Sequence, residues 1–300
     1  MTEFGLIGTI TSDRIVYDDG RSFGMIGGVL YQAAVWCGRG DGVRLFTACG
    51  EDLRTGVEDL IAPWPTLRRG GLRYVPGPGN VVELRYGEAL KEREEVLRSA
   101  VPPLDPGSVL PGLAGLDGLL LVFNSGFDLR LEDWRTIRAA AVCPVWIDIH
   151  SHSLAKIVGA HRDYVAIPEW RDWVRGADYL QANRQEAACM LGRPERWPER
   201  DEIESLAGEA FGLGVRAMFV TMGKEGVLVL TPGEIRMIPS PQAQEAVDTT
   251  GCGDVFAAAA FKALIAGVGA FAATEAGAAL ASRAVSVKGI AETFRLARRT

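Results

Sequence analysis

Apolar residues follow two rhythms along this chain. Short, mostly apolar runs, Phe4–Ile10, Val43–Cys49, Leu116–Phe123, Val145–Ile149 and Ala217–Val220, are interrupted by a polar side chain only at Thr9, Arg44, Thr47, Asp117 and Asp148. Runs of that length predict strands covered on both sides, as in a parallel sheet. Between them, Val29–Trp36, Glu204–Leu213, Ala257–Ile265 and Ala272–Val287 place apolar residues at helical spacing. Alternating strands and helices predict a three-layer α/β/α domain with a central, mostly parallel sheet. A weaker period of two runs through Thr11–Tyr17 and again through Gly71–Tyr86, where Pro76-Gly77-Pro78-Gly79 reads as the turn of a hairpin. The stretch 71–86 therefore predicts a small appended sheet on a single domain spanning 1–300, and a turn at Asp18-Asp19-Gly20 follows the extended Thr11–Tyr17. Lys91–Arg98 mixes both charge signs and reads as a solvated face.

Composition narrows the partners. The chain has 300 residues, 48% of them hydrophobic, and a formal net charge of −6, enough apolar content for a large core. Nucleic acids and anionic membranes call for clustered positive charge, so neither is an expected partner, and a small molecule is. The five cysteines, Cys37, Cys49, Cys143, Cys189 and Cys252, form no Cys-x-x-Cys pair and suit reduced thiols in a cytoplasmic protein. Met1–Phe4 has no basic leader, and no apolar run approaches the ~18 residues of a membrane span. His150 and His152, two apart with no third ligand nearby, are a poor metal signal and read as loop histidines.

Chemistry concentrates in Val247-Asp248-Thr249-Thr250-Gly251-Cys252-Gly253-Asp254, which runs directly into an alanine-rich helix. A helix start presents unpaired N–H groups and the positive end of the dipole, and so favours an anion. Asp254 adds a carboxylate at the same place. It reads either as a helix cap, favoured by roughly 0.3–1 kcal/mol through the dipole, or as a proton acceptor beside the anion. Upstream, Asn183-x-x-Glu186 is capping chemistry at a helix start. Thr221-x-Gly223-x-x-Gly226 follows a strand and reads by itself as a hairpin turn. Asn124 follows the apolar run ending at Phe123, at the strand end where open α/β sheets place ligands, or it is an ordinary turn residue. Asp13 is open between a loop acid and a binding residue. Gly27-Gly28 before a helix permits close backbone approach, and Asn80 after Gly79 has turn chemistry as its simplest account.

The run Asp248-Thr249-Thr250-Gly251-Cys252-Gly253-Asp254 resembles the signature of the ribokinase-like carbohydrate kinases, the PfkB family, with Cys252 where the family usually has Ala. Further elements stand in the family's order along nearly the whole chain: Gly27-Gly28, Gly50-x-Asp52, Asn183-x-x-Glu186 and Thr221-x-Gly223-x-x-Gly226. Gln32 stands where the family has an acceptor-binding Asn. The resemblance implies a ribokinase-like fold in which about 10–26 and 72–100 together form one small β sheet, a lid over the acceptor, and a homodimer formed through that lid. It implies transfer of the γ-phosphoryl group of ATP to a hydroxyl of a sugar or sugar-like molecule. Asp254 is then the base, and the N–H groups of Gly251, Cys252 and Gly253 form the anion hole. Asn183, Glu186, Thr221, Gly223, Gly226 and Thr250 are placed at the nucleotide, with Mg²⁺ met by Glu186 through water. Asp13, Gly27, Gly28, Gln32, Asn80 and Asn124 are placed at the acceptor, and Asp248 beside a monovalent cation such as K⁺. Rival readings are a nucleoside or inositol kinase of the same fold, or a regulatory protein that binds sugar or nucleotide without turnover. A dinucleotide oxidoreductase lacks its Gly-x-Gly-x-x-Gly after the first strand. Cys252 reads first as a small residue filling the space of Ala, and second as a thiol at a helix N-terminus that can ionise easily and be open to oxidation.

Overall fold

The computed structural model describes residues 1–17, 19–86, 94–241 and 247–300. In chain order its strands are β1 (Glu3–Ile7), β2 (Ile10–Tyr17), β3 (Ser22–Gly28), β4 (Gly42–Gly50), β5 (Leu67–Val75), β6 (Asn80–Tyr86), β7 (Glu94–Ser99), β8 (Gly118–Val122), β9 (Val145–Asp148), β10 (Tyr179–Asn183), β11 (Ala217–Thr221), β12 (Val227–Thr231) and β13 (Glu234–Ile238). The helices are α1 (Leu30–Gly38), α2 (Arg54–Ile61), α3 (Pro106–Val109), α4 (Leu131–Ala140), α5 (Trp170–Val174), α6 (Arg184–Met190), α7 (Arg200–Gly212), α8 (Cys252–Ile265), α9 (Ala270–Ala284) and α10 (Gly289–Ala297).

Nine strands form the large sheet in the order β13-β12-β11-β10-β9-β8-β1-β4-β5. All neighbours from β10–β11 to β4–β5 are parallel, and β12 and β13 continue antiparallel at one edge. The mostly apolar strands are explained by two helical layers. Leu120, Val122 and Trp146 face a core shared with α1, α8 and α10, while Leu119, Leu121, Val145 and Ile147 face a second core shared with α4, α5, α6 and α7. Phe4 stacks on Trp36 at 4.2 Å, and Trp146 stacks on Phe219 at 4.8 Å, so large rings lock the sheet to its first layer. Strand order reverses at β1, between β8 and β4, which opens a crevice at the carboxyl ends of β1 and β8.

The small sheet has the order β3-β2-β6-β7 and buries Ile15, Val82, Leu84 and Leu97 in a core of its own. Its β7 edge is covered by the loop after β9. Gly159 N–H donates to the Leu97 carbonyl at 2.7 Å, and Arg162 N–H donates to that of Glu95 at 2.9 Å. The Arg162 guanidinium, 0% exposed, pairs with the Glu95 carboxylate and donates to the Ser125 carbonyl at 2.6 Å. The small sheet is thus fastened to the main domain by a buried ion pair.

Two local expectations fail. No hairpin joins 71–75 to 80–86: β5 pairs in parallel with β4 at the edge of the large sheet, and β6 pairs in parallel with β2. An edge strand covered on one face shows the same partial alternation as a hairpin arm, so periodicity could not name its partner. The Pro-Gly turn carries the chain from one sheet to the other. Nor is 94–98 a solvated face, because it is the strand β7 with Glu95, Val96 and Leu97 buried. Its Arg98 donates across strands to Glu83 of β6, and with Arg85 of the same strand β6 it holds that carboxyl down at about 2. Lys91, Glu92, Arg93 and Asp18 lie outside the described residues. No described helix is long and apolar enough to cross a membrane.

Candidate active site

The crevice at the strand reversal opens into a cavity of about 890 Å³ that runs from the small sheet to the start of α8 and on to α9. At its centre the chain turns through Thr250-Gly251 into α8. Gly251 caps the helix in the left-handed region with φ 76°, and a Cβ there would lie 2.5 Å from the Tyr31 ring on α1, so glycine is required twice over. Thr250 N–H donates to Asp248 Oδ1 at 2.9 Å, and Cys252 N–H is turned onto the Thr249 carbonyl at 3.3 Å. The helix that follows buries Asp254 through Phe261 without a break, which anchors its mouth from behind.

Asp254 sits in the first turn of α8, lines the cavity and is 7% exposed. Its carboxyl is pushed up to about 7, first by burial and then by the carboxylates of Asp13 and Glu186, while a hydrogen bond from Gln32 pulls the other way. That bond runs from Gln32 Nε2 to Asp254 Oδ1 at 2.5 Å. Asp148, at the end of β9, is held well above the usual carboxylate range by burial, with Glu186 and Asp254 adding to it. Gln181 on β10 lines the same wall and donates from Nε2 to the Gly253 carbonyl at 3.2 Å.

Toward α9 the cavity is lined by Asn183, Glu186, Thr221, Gly223, Lys224, Gly226 and Thr250. Asn183 and Glu186 form a full capping box: Asn183 Oδ1 accepts from Glu186 N–H at 2.8 Å, and Glu186 Oε2 accepts from Asn183 N–H at 2.7 Å. Asn183 Nδ2 also donates to Glu186 Oε1 at 2.7 Å, so the carboxylate faces the cavity with its orientation fixed. The second oxygen of Asp248, Oδ2, is buried and has no hydrogen-bond partner among the described residues.

Toward the small sheet the lining is Thr11, Asp13, Gly28, Val82, Leu84, Glu95 and Asn124, with His150 and Ser151 beyond β9. Asp13 leans across β3, where a Cβ on Gly27 would lie 2.3 Å from its Oδ2. Asn124 Oδ1 accepts from Thr9 N–H at 3.2 Å, which ties the ends of β8 and β1 together. Gly27, Gln32 and Asn80 do not line the cavity. Gln32 and Asn80 are fully buried, and Asn80 Oδ1 accepts from Val101 N–H at 2.7 Å.

Glu95, Asp148, Gln181, Lys224 and His150 were not singled out from sequence. Asp148 offered the same signal as Asn124, a polar residue at the carboxyl end of a buried strand. The others depend on the fold. His152 is buried against Phe123 and Trp173 and its imidazole is pushed down to about 3 by burial, and no metal-binding cluster occurs among the described residues. Burial, with Asp248 and Asp254 beside it, pushes the Cys252 thiol up to about 12, which goes against the easily ionised thiol and with a small residue filling the space of Ala.

Known proteins share this fold. The sequence profile of the pfkB family carbohydrate kinases matches residues 132–295. A ribokinase of Arabidopsis thaliana is 35% identical over 114 residues, which make up 37% of this chain and 29% of that protein. The chain spans under a third of the length of the curated ribokinases it matches. Among solved structures, a pyrophosphate-dependent kinase in the ribokinase family superimposes with a TM-score of 0.79 at 18% identity, over 95% of this chain and 96% of that one. The structure of Arabidopsis thaliana ribokinase complexed with ribose and ATP gives 0.76 at 19% identity, over 98% and 96%. A ribokinase-like fold shared end to end, with the family's profile matched across more than half of the sequence, makes this chain a member of the pfkB family of carbohydrate kinases.

Proposed function

We propose that this protein transfers the γ-phosphoryl group of ATP to a hydroxyl of an uncharged sugar or sugar-like alcohol. The observation that carries the reading is Asp254: a buried carboxyl raised to about 7, in the first turn of α8, at the middle of a cavity open toward both sheets. The acceptor hydroxyl sits between Asp13 and Asn124 and gives its proton to Asp254. Its oxygen bonds to phosphorus as the bond to the bridging oxygen of the leaving ADP breaks. The charge spread over the phosphoryl oxygens is met by the N–H groups at the start of α8. Lys224 lies on the ATP side of the cavity.

Magnesium, when bound to ATP, offsets the triphosphate charge. Glu186, with both oxygens already held by Asn183, fits a contact to it through water better than direct ligation. The buried Oδ2 of Asp248, without a hydrogen-bond partner among the described residues, fits a monovalent cation beside the loop.

The charge of the lining speaks to the acceptor. Asp13, Glu95, Asp148, Glu186 and Asp254 all line the cavity, and among the described residues Lys224 is its one lysine or arginine. Arg162 already pairs with Glu95 and burial holds Asp148 toward its neutral form, so beside the small sheet a phosphorylated or carboxylated acceptor would meet the Asp13 carboxyl with no lysine or arginine lining that end among the described residues. The experiment is a panel with ATP and, separately, pyrophosphate as donors, and D-ribose, D-fructose, myo-inositol, inosine and ribose 5-phosphate as acceptors. The expected result is ATP-dependent phosphorylation of a neutral acceptor and none of ribose 5-phosphate. Turnover with pyrophosphate but not ATP would overturn the donor assignment. Folded protein that binds ATP or an acceptor and turns over no pair would favour the regulatory reading instead.

A further inference from the structure

Gln32 occupies the family's acceptor-binding position, yet its side chain is fully buried, lies outside the cavity lining and reaches Asp254 Oδ1 at 2.5 Å. Its other polar atom, Oε1, is buried without a hydrogen-bond partner among the described residues. The amide is therefore oriented by the carboxylate alone, and toward a carboxylate only its N–H₂ end can donate. Asn, one methylene shorter, could not span the same gap from the same backbone position.

We infer that Gln32 is a positioning residue for phosphoryl transfer: it holds one oxygen of Asp254 from behind, so that the other oxygen is presented to the acceptor hydroxyl, and it does not touch the acceptor. A carboxylate free to rotate offers either oxygen in many directions, whereas a base must hold one oxygen within hydrogen-bond reach of the proton it takes. The groups that face Asp254 are the carboxylates of Asp13 from β2, Asp148 from β9 and Glu186 from α6, the Tyr31 hydroxyl from α1 and the Cys252 thiol of its own turn. The carboxylates repel the ionised base, and the Gln32 amide from α1 opposes them. A donor to the ionised form favours that form.

This inference rests on Asp254 being the base, and its test separates the two claims. In the full chain with ¹³C-labelled aspartate, the Asp254 carboxyl signal, identified by its loss in Asp254→Asn, is followed against pH in the native protein and in Gln32→Met. Loss of the donor is expected to raise the Asp254 midpoint by about one pH unit or more. Gln32→Glu, of the same length and polar, makes a carboxyl pair with Asp254 that titrates in two steps, the upper one above the native midpoint, which gives a second reading where the Met variant fails to fold. With ATP and the alcohol turned over fastest in the panel above, Gln32→Met lowers kcat by roughly tenfold or more and leaves the acceptor KM within about twofold. An unmoved midpoint, or a raised KM at unchanged kcat, overturns the positioning role while Asp254→Asn stays inactive. An active Asp254→Asn would instead remove the reading beneath it.

Discussion

At the α8 end of the cavity, seven consecutive residues from Asp248 to Asp254 bring together a buried carboxylate oxygen without a partner among the described residues, a left-handed glycine turn and the proposed base. At the small-sheet end, the lining is assembled from Asp13 on β2, Leu84 on β6, Glu95 on β7 and Asn124 past β8, and is held by the loop that carries Arg162. One end is set by local backbone geometry and the other by pairing between distant segments. In the proposed function the first end serves the chemical step, which the family's kinases have in common, and the second serves the choice of acceptor.

Substitutions at the two ends should therefore fail differently. Asp254→Asn is expected to lower turnover by about 10²–10⁴ with little change in the acceptor KM, read by steady-state assay with the acceptor from the panel. Glu95→Gln leaves the Arg162 guanidinium buried without its ionised partner, and losing one member of a buried pair costs about 3–5 kcal/mol. Its signature is a lower Tm by calorimetry, and an unchanged Tm would show that the small sheet is held by other contacts. Asp13→Ala removes a charged hydrogen-bond acceptor from the acceptor end and should raise acceptor KM by about 10–100-fold, with kcat affected less. If Asp13→Ala lowered kcat and spared KM, the division of labour between the two ends would be wrong. The smallest effect belongs to Cys252→Ala, which restores the family's usual residue. With the thiol held near 12, activity should stay within about twofold, before and after thiol modification.

The same division explains what could be read from sequence. The α8 mouth was legible because a glycine turn and a carboxylate in the first turn of the helix are consequences of neighbours in the chain. The large sheet was legible because strands covered on both faces, such as Leu119–Val122, are apolar without a break. The capping reading of Asn183 holds, and the residue also lines the cavity. The small-sheet end was not legible to the same depth. Nothing in 71–86 says that β5 joins β4 while β6 joins β2, and the mixed charges of 94–98 hid a strand whose Glu95 faces the cavity. Gln32 shows the limit of motif reading, because a residue at a known motif position is turned by one extra methylene from the cavity to Asp254.

The most direct measurement is kcat against pH at saturating ATP and acceptor, from about pH 5.5 to 9, in the native enzyme and in Asp254→Asn. A base raised to about 7 is protonated, and silent, at lower pH, so native turnover should climb through neutrality to a plateau. The residual activity of Asp254→Asn should lack that climb. A native profile flat across the range, or a climb that persists unchanged in the variant, would contradict Asp254 as the proton acceptor.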